Sequence, residues 1–148
     1  MPGPDNSKHR IVSSAPTLPS LLLTNVNHIL NKFAELAILV NNHKPDIVEI
    51  TETWLYDAIL DSSCAIPVNS VIRKARQTGP GGGVMFYVRN SVTYHTLDNV
   101  LGSSDSFEVL FISVRPHVLP LSCHCCSCLY SPPWYDAAHQ QKTVPLYS

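Results

Sequence analysis

The chain has little charge of either sign: Asp, Glu, Lys and Arg make up 14% of its 148 residues. With 10 Lys plus Arg against 11 Asp plus Glu, the formal net charge is -1, which excludes a protein that coats nucleic acid by bulk charge. Any grip on DNA has to be local. Long apolar runs are missing too. None reaches the ~18 to 20 residues that span a bilayer, and Pro19 and Ser20 interrupt the leucine stretch near the start, so neither a membrane anchor nor a signal peptide is read. The cysteines number 5, an odd count with four of them packed between Cys123 and Cys128. Such a cluster is unlike a spaced disulfide framework and fits a reducing, intracellular compartment, nuclear or cytoplasmic. No Lys-Ser or Lys-Thr follows Gly79-Pro80-Gly81-Gly82-Gly83, so the glycines make a sharp turn rather than a nucleotide loop. No two of the histidines stand at the i, i+4 spacing of a helical zinc site.

Hydrophobic residues, at 45%, are abundant enough for a packed core in a single domain. Residues 1–19, with Pro2, Pro4, Pro16 and Pro19 among polar residues, form a disordered lead, and 141–148 a tail. Leu21, Leu22, Leu23 and Val26 predict the first strand of a buried sheet. Ile29, Phe33, Leu36 and Val40 then recur at helical spacing, predicting a helix over 28–42 with Asn27 as its N-cap and Asn41, Asn42 and Pro45 as its stop. Asp46 to Thr51 is β-branched enough for a second strand, parallel to the first across a crossover. Shorter strands follow near 70–73, 84–89, 107–114 and 122–130, giving a mixed α/β sandwich.

Charge is segregated along the chain. Asp46, Glu49, Glu52, Asp57 and Asp61 occur with no Lys or Arg among them, and from Ser62 to Leu97 there are no acids but Arg73, Lys74, Arg76 and Arg89. Carboxylates that hold a cation beside guanidinium groups that hold phosphate are what a metal-dependent phosphodiesterase needs; a solvated surface with segregated charges has the same pattern. Glu52 ends the second strand, where sites gather in α/β sheets, and suits either a hard cation such as Mg²⁺ or solvent. Asn25 ends the first strand at the neighbouring level, placed to orient a phosphate oxygen or to make a turn. The Cys123 to Cys128 run alternates faces if extended, which fits thiols filling an interior strand better than a zinc site.

Six segments carry a resemblance: Leu21 to Asn25, Asn31-Lys32-Phe33-Ala34-Glu35-Leu36, Lys44-Pro45-Asp46-Ile47-Val48, Thr51-Glu52-Thr53-Trp54-Leu55, Gly81-Gly82-Gly83-Val84 and Tyr87-Val88-Arg89. In this order, extended by Tyr130-Ser131-Pro132-Pro133, they resemble the endonuclease domain of non-LTR (LINE-type) retrotransposons, in the endonuclease/exonuclease/phosphatase superfamily with apurinic endonucleases and DNase I. The resemblance implies a four-layer α/β sandwich of the DNase I-like type with mixed sheets, partial over residues 20–140, that nicks DNA by Mg²⁺-assisted phosphodiester hydrolysis. Within it Glu52 matches the metal-binding glutamate, Asn25 the early active-site asparagine and Tyr130 the tyrosine whose hydroxyl is placed toward the scissile phosphate. Arg73, Lys74 and Arg76 match a basic element flanking the DNA-binding face.

The departures bear on activity. Ala75 stands where an acid is common, Asn27-His28 replaces Arg-Ser, and Ser131 replaces a basic residue. Neither a Gly-Asp-x-Asn nor a Ser-Asp-His segment occurs, so the general base and its orienting Asp are missing and the sandwich is truncated. Loss of a positioned acid or base costs about 10²- to 10⁴-fold in rate, so hydrolysis is expected to be very slow at best. Unpaired sheet edges would favour self-association and leave the chain dependent on a completing partner for a stable fold. A non-catalytic protein-interaction fragment is the rival reading.

Overall fold

The computed structural model describes residues 18–77, 80–97 and 107–115, and the backbone of 123–130. Strand β1 (Leu21–Asn25) leads into helix α1 (Ile29–His43) and strand β2 (Ile47–Thr51). After a 3-10 turn at Asp61–Cys64 come β3 (Asn69–Lys74), β4 (Val84–Arg89), β5 (Thr93–Thr96), β6 (Phe107–Arg115) and β7 (Cys123–Tyr130). Two sheets result, of order β1-β2-β4-β3 and β5-β6-β7. β1 and β2 are parallel, with Leu21 opposite Ile47 and Asn25 opposite Thr51, while every other pairing among the described residues is antiparallel.

Burial explains why the strands read so differently as sequence. β4 is Val-Met-Phe-Tyr-Val-Arg because both of its faces are covered. Met85 and Tyr87 join Val48 and Ile50 under Ile29, Leu36 and Val40 of the helix. Val84, Phe86 and Val88 join Ile47 against Leu110, Ile112 and Val114 of β6, which fills the space between the sheets. Helix, sheet and sheet make three layers among the described residues, in keeping with a truncated four-layer sandwich with mixed sheets. The expected helix span is close, but its ends are corrected. Asn27 is not the N-cap: the cap is His28, held at φ 82° with no side-chain cap bond. At the other end Asn41 and Asn42 stay helical, and Lys44 closes the helix in the left-handed region with its N–H on Val40 O. Among the described residues β1 lies at the edge of its sheet, with Leu21 and Leu23 exposed at 53% and 64% while Leu22 packs against the helix-side core.

One polar contact is sealed inside the helix-side core. The Tyr87 hydroxyl donates to the backbone carbonyl of Cys64, and both residues are fully buried. Burial pushes the Tyr87 phenol far above its ordinary range, with the adjacent Cys64 adding to the shift. Burial likewise raises the Cys64 thiol, helped by Asp61 and partly opposed by Arg73 and by Tyr87.

Candidate active site

The carboxyl ends of β1 and β2 lie side by side, and the chain beyond them stays paired. Val26 N–H donates to Thr51 O at 3.2 Å, His28 N–H to Glu52 O at 2.9 Å and Ile29 N–H to Thr53 O at 3.0 Å. These bonds tie the approach to α1 to the chain beyond β2, and the last of them satisfies the first amide of the helix. They also force the backbone: Asn27, His28, Glu52 and Trp54 all have positive φ, at 42°, 82°, 57° and 57°. Gly81, Gly82 and Gly83, between 74° and 82°, meet the same turn from the opposite side, with Thr53 N–H on Gly83 O and Trp54 N–H on Gly82 O. Left-handed backbone at non-glycine residues is uncommon, and a cluster of it marks a place that the surrounding structure over-determines.

Glu52 sits at the centre of this cluster with 6% of its surface exposed. Its Oε2 accepts from the Gly82 N–H at 3.0 Å and from the Trp54 indole Nε1–H at 2.9 Å. Its Oε1 has no protein partner among the described residues. Asn25 is exposed at the end of the neighbouring strand, paired with Thr51, its Oδ1 accepting from Asn27 N–H at 3.2 Å. His28 packs its ring 5.5 Å from that of Trp54, and its buried Nδ1 lacks a hydrogen-bond partner among the described residues. Sequence reasoning does not assign Trp54, Gly82 or His28 to the site; the indole two residues after a strand-end acid is the one available signal.

Sheet register extends this end of the molecule. Lys74 and Thr51 both lie opposite Val84, so β3 finishes at the same end as β1 and β2. Arg76, two residues further, grips Glu108 at the start of β6 through Nε to Oε1 at 2.6 Å and Nη2 to Oε2 at 3.1 Å. Tyr130 falls opposite Phe107, so the backbone of Tyr130 belongs to the same end as Asn25 and Glu52.

The basic trio divides. Arg73 reaches exposed Asp61 at 2.5 Å, with further bonds to the carbonyls of Tyr56 and Ile59, and so ties down the 56–61 loop. Lys74 stands beside it, partly exposed. The expectation that Arg76 faces DNA gives way: its side chain is 8% exposed against a Glu108 side chain at 4%, a bidentate pair that joins the two sheets. A guanidinium so engaged presents little to a phosphate backbone.

The donors at Glu52 and Asn25 are hard oxygens. No three His, Cys, Asp or Glu gather among the described residues, which leaves no cage of the structural-zinc kind there. Mg²⁺ does not need one, since it keeps several waters and takes one or two carboxylates, so the donor set fits it. Side chains of the Cys123 to Cys128 run, on which a zinc reading would turn, lie outside the described residues.

No protein-family profile matches the sequence, and neither does any curated protein. Among solved structures, the fold is similar to that of the AP endonuclease LMAP from Leishmania major, with a TM-score of 0.51 at 17% identity over 66% of this chain. The chain spans only 36% of that protein's length. This likeness makes it a mixed α/β chain with mixed sheets, of the DNase I-like fold.

Proposed function

We propose that the chain is part of a Mg²⁺-dependent DNA endonuclease of the non-LTR retrotransposon type, acting by phosphodiester hydrolysis to nick a target site. One observation carries the reading: Glu52 closes β2 with one carboxylate oxygen anchored and the other without a protein partner among the described residues, at the level where Asn25 closes β1. The ordered motifs of the sequence and the likeness in fold to an AP endonuclease support it. Glu52 would hold the cation through Oε1, with Gly82 and Trp54 fixing the direction in which that oxygen is offered. Bound Mg²⁺ supplies Lewis-acid stabilisation of charge on phosphate oxygens. Asn25 presents an amide to the substrate phosphate, Tyr130 is the third residue that the resemblance assigns to the reaction, and Lys74 flanks the DNA strand, while Arg73 commits its guanidinium to the 56–61 loop. Arg76 holds the frame behind them. The sequence contains neither a Gly-Asp-x-Asn nor a Ser-Asp-His segment, so the groups to which the resemblance assigns the water's proton are missing and turnover by these 148 residues is expected to be very slow. An intracellular location, nuclear or cytoplasmic, suits a DNA substrate.

A nicking assay on supercoiled plasmid tests this. Slow Mg²⁺-dependent relaxation is expected from the wild type, abolished by a chelator and by Glu52→Ala. Nicking that persists in Glu52→Ala refutes the assignment. A second reading, a non-catalytic fragment that pairs with itself or with another protein, is favoured by the β1 edge and its exposed Leu21 and Leu23. That role does not involve Glu52, and concentration-dependent association without any metal-dependent nicking is its outcome.

A further inference from the structure

Gly82 has two neighbours that belong to different parts of the molecule. Its N–H holds Glu52 Oε2 at 3.0 Å, and its α-carbon lies flat against the Arg76 guanidinium, where an added Cβ would come within 2.5 Å of Cζ and Nε. That guanidinium cannot drift, because Glu108 holds it in a planar fork at 2.6 and 3.1 Å and Pro80 O accepts from its Nη1 at 3.4 Å. Glu108, Arg76, Gly82 and Glu52 therefore form one mechanical chain that runs from β6 across the gap between the sheets to the end of β2.

We propose that Arg76 and Glu108 are positioning residues: through Gly82 they set the direction of the Glu52 carboxylate, and with it the affinity for a divalent cation. A lone hydrogen bond leaves a carboxylate free to rotate about its last bond, whereas Oε2 accepts two and is pinned from two sides, by an indole and by an amide whose own place is fixed by the guanidinium. Lysine in place of Arg76 keeps the charge but loses the fork and the flat surface on which Gly82 rests. Groups that orient a metal ligand typically change metal affinity by about 10- to 100-fold when altered. The part of the inference that concerns metal rests on the proposed role of Glu52; the part that concerns carboxylate direction does not.

The Trp54 indole N–H reports on Glu52 directly, because it donates to the pinned oxygen. In a ¹H–¹⁵N spectrum its cross-peak is the one lost in Trp54→Phe. Arg76→Lys and Glu108→Gln are expected to move that cross-peak toward its position in Glu52→Gln, and to weaken Mn²⁺ binding, read by electron paramagnetic resonance, by about 10- to 100-fold. Where a single variant fails to fold, the double replacement Arg76→Met with Glu108→Met removes the pair without stranding a buried charge and serves in its place. A pair that merely held the sheets together would lower the melting temperature and leave the indole cross-peak where it was, and that result overturns the proposal. A wild type that binds no Mn²⁺ while the cross-peak still moves in the variants sinks the metal role of Glu52 and supports the positioning.

Discussion

Replacing Tyr87 by phenylalanine should change stability in a manner that depends on pH in one direction only. The ring packs at 0% exposure between Val48, Ile50 and the helix, and phenylalanine keeps that packing. What is lost is the hydroxyl that donates to Cys64 O, leaving a buried carbonyl without its donor, at a cost of about 1–3 kcal/mol near neutral pH. The phenol of the folded chain is raised far above its ordinary value of 10.0 by burial and by Cys64. Below that value both folded and unfolded chains keep the proton, and the advantage of the wild type is constant. Above it the unfolded chain gives up a proton that the folded chain retains, so wild-type stability falls by about 1.4 kcal/mol per pH unit from this group alone. The Tyr87→Phe variant has no such loss. Cys64, raised above its ordinary 9.0, adds an alkaline loss of its own, but in both chains. Urea titrations followed by circular dichroism at pH about 7, 9, 10 and 11 should therefore show a constant gap that closes only above pH ~10. A gap that stays constant to pH ~11, or one below ~0.5 kcal/mol at neutrality, refutes the buried hydrogen bond.

Gly83→Ala should destabilise by about 2–4 kcal/mol in urea, from the left-handed φ of +82° and from a methyl group driven into Thr53 Oγ1; a change under ~1 kcal/mol would contradict the tight turn at Glu52. Leu23→Ala should stay within about 0.5 kcal/mol of wild type and Ile47→Ala should lose about 2–5 kcal/mol, although both carry the same kind of side chain on adjacent strands. Equal losses in thermal melts would show that the face of β1 is covered in solution.

Elements whose apolar pattern reflects their own burial are legible in the sequence. β4 can be read to its ends because residues with both faces covered leave a continuous apolar run, and the β1-α1-β2 order follows from a change of period. β5 escapes such a reading. Thr93–Thr96 is short and mostly exposed, and owes its strand form to pairing with 112–115 rather than to its own composition. β1 is recognisable as a strand but not as an edge, since three successive leucines say nothing about whether a neighbouring layer reaches them.

The site is legible to the extent that it depends on where a strand ends, and illegible where it depends on what arrives from elsewhere. Glu52 and Asn25 fall at the carboxyl ends of adjacent parallel strands, which the order of elements already implies. The partner that orients Glu52 is Gly82, 30 residues away, and as sequence it reads only as a turn residue because a backbone N–H has no signature of its own. Local charge groups Arg76 with Arg73 and Lys74, yet its fate is decided by Glu108, 32 residues on, in a strand whose remaining pattern is mostly apolar. The acid in that run is the available warning. A buried carboxylate demands a partner, and a cation that supplies it cannot also serve a substrate. The same logic explains the backbone at residues 27 and 28. Asn27 would cap a helix that began freely, but the carbonyls of Thr51, Glu52 and Thr53 take the amides of Val26, His28 and Ile29, so contacts from β2 override local capping preference and place the left-handed residues next to the carboxylate.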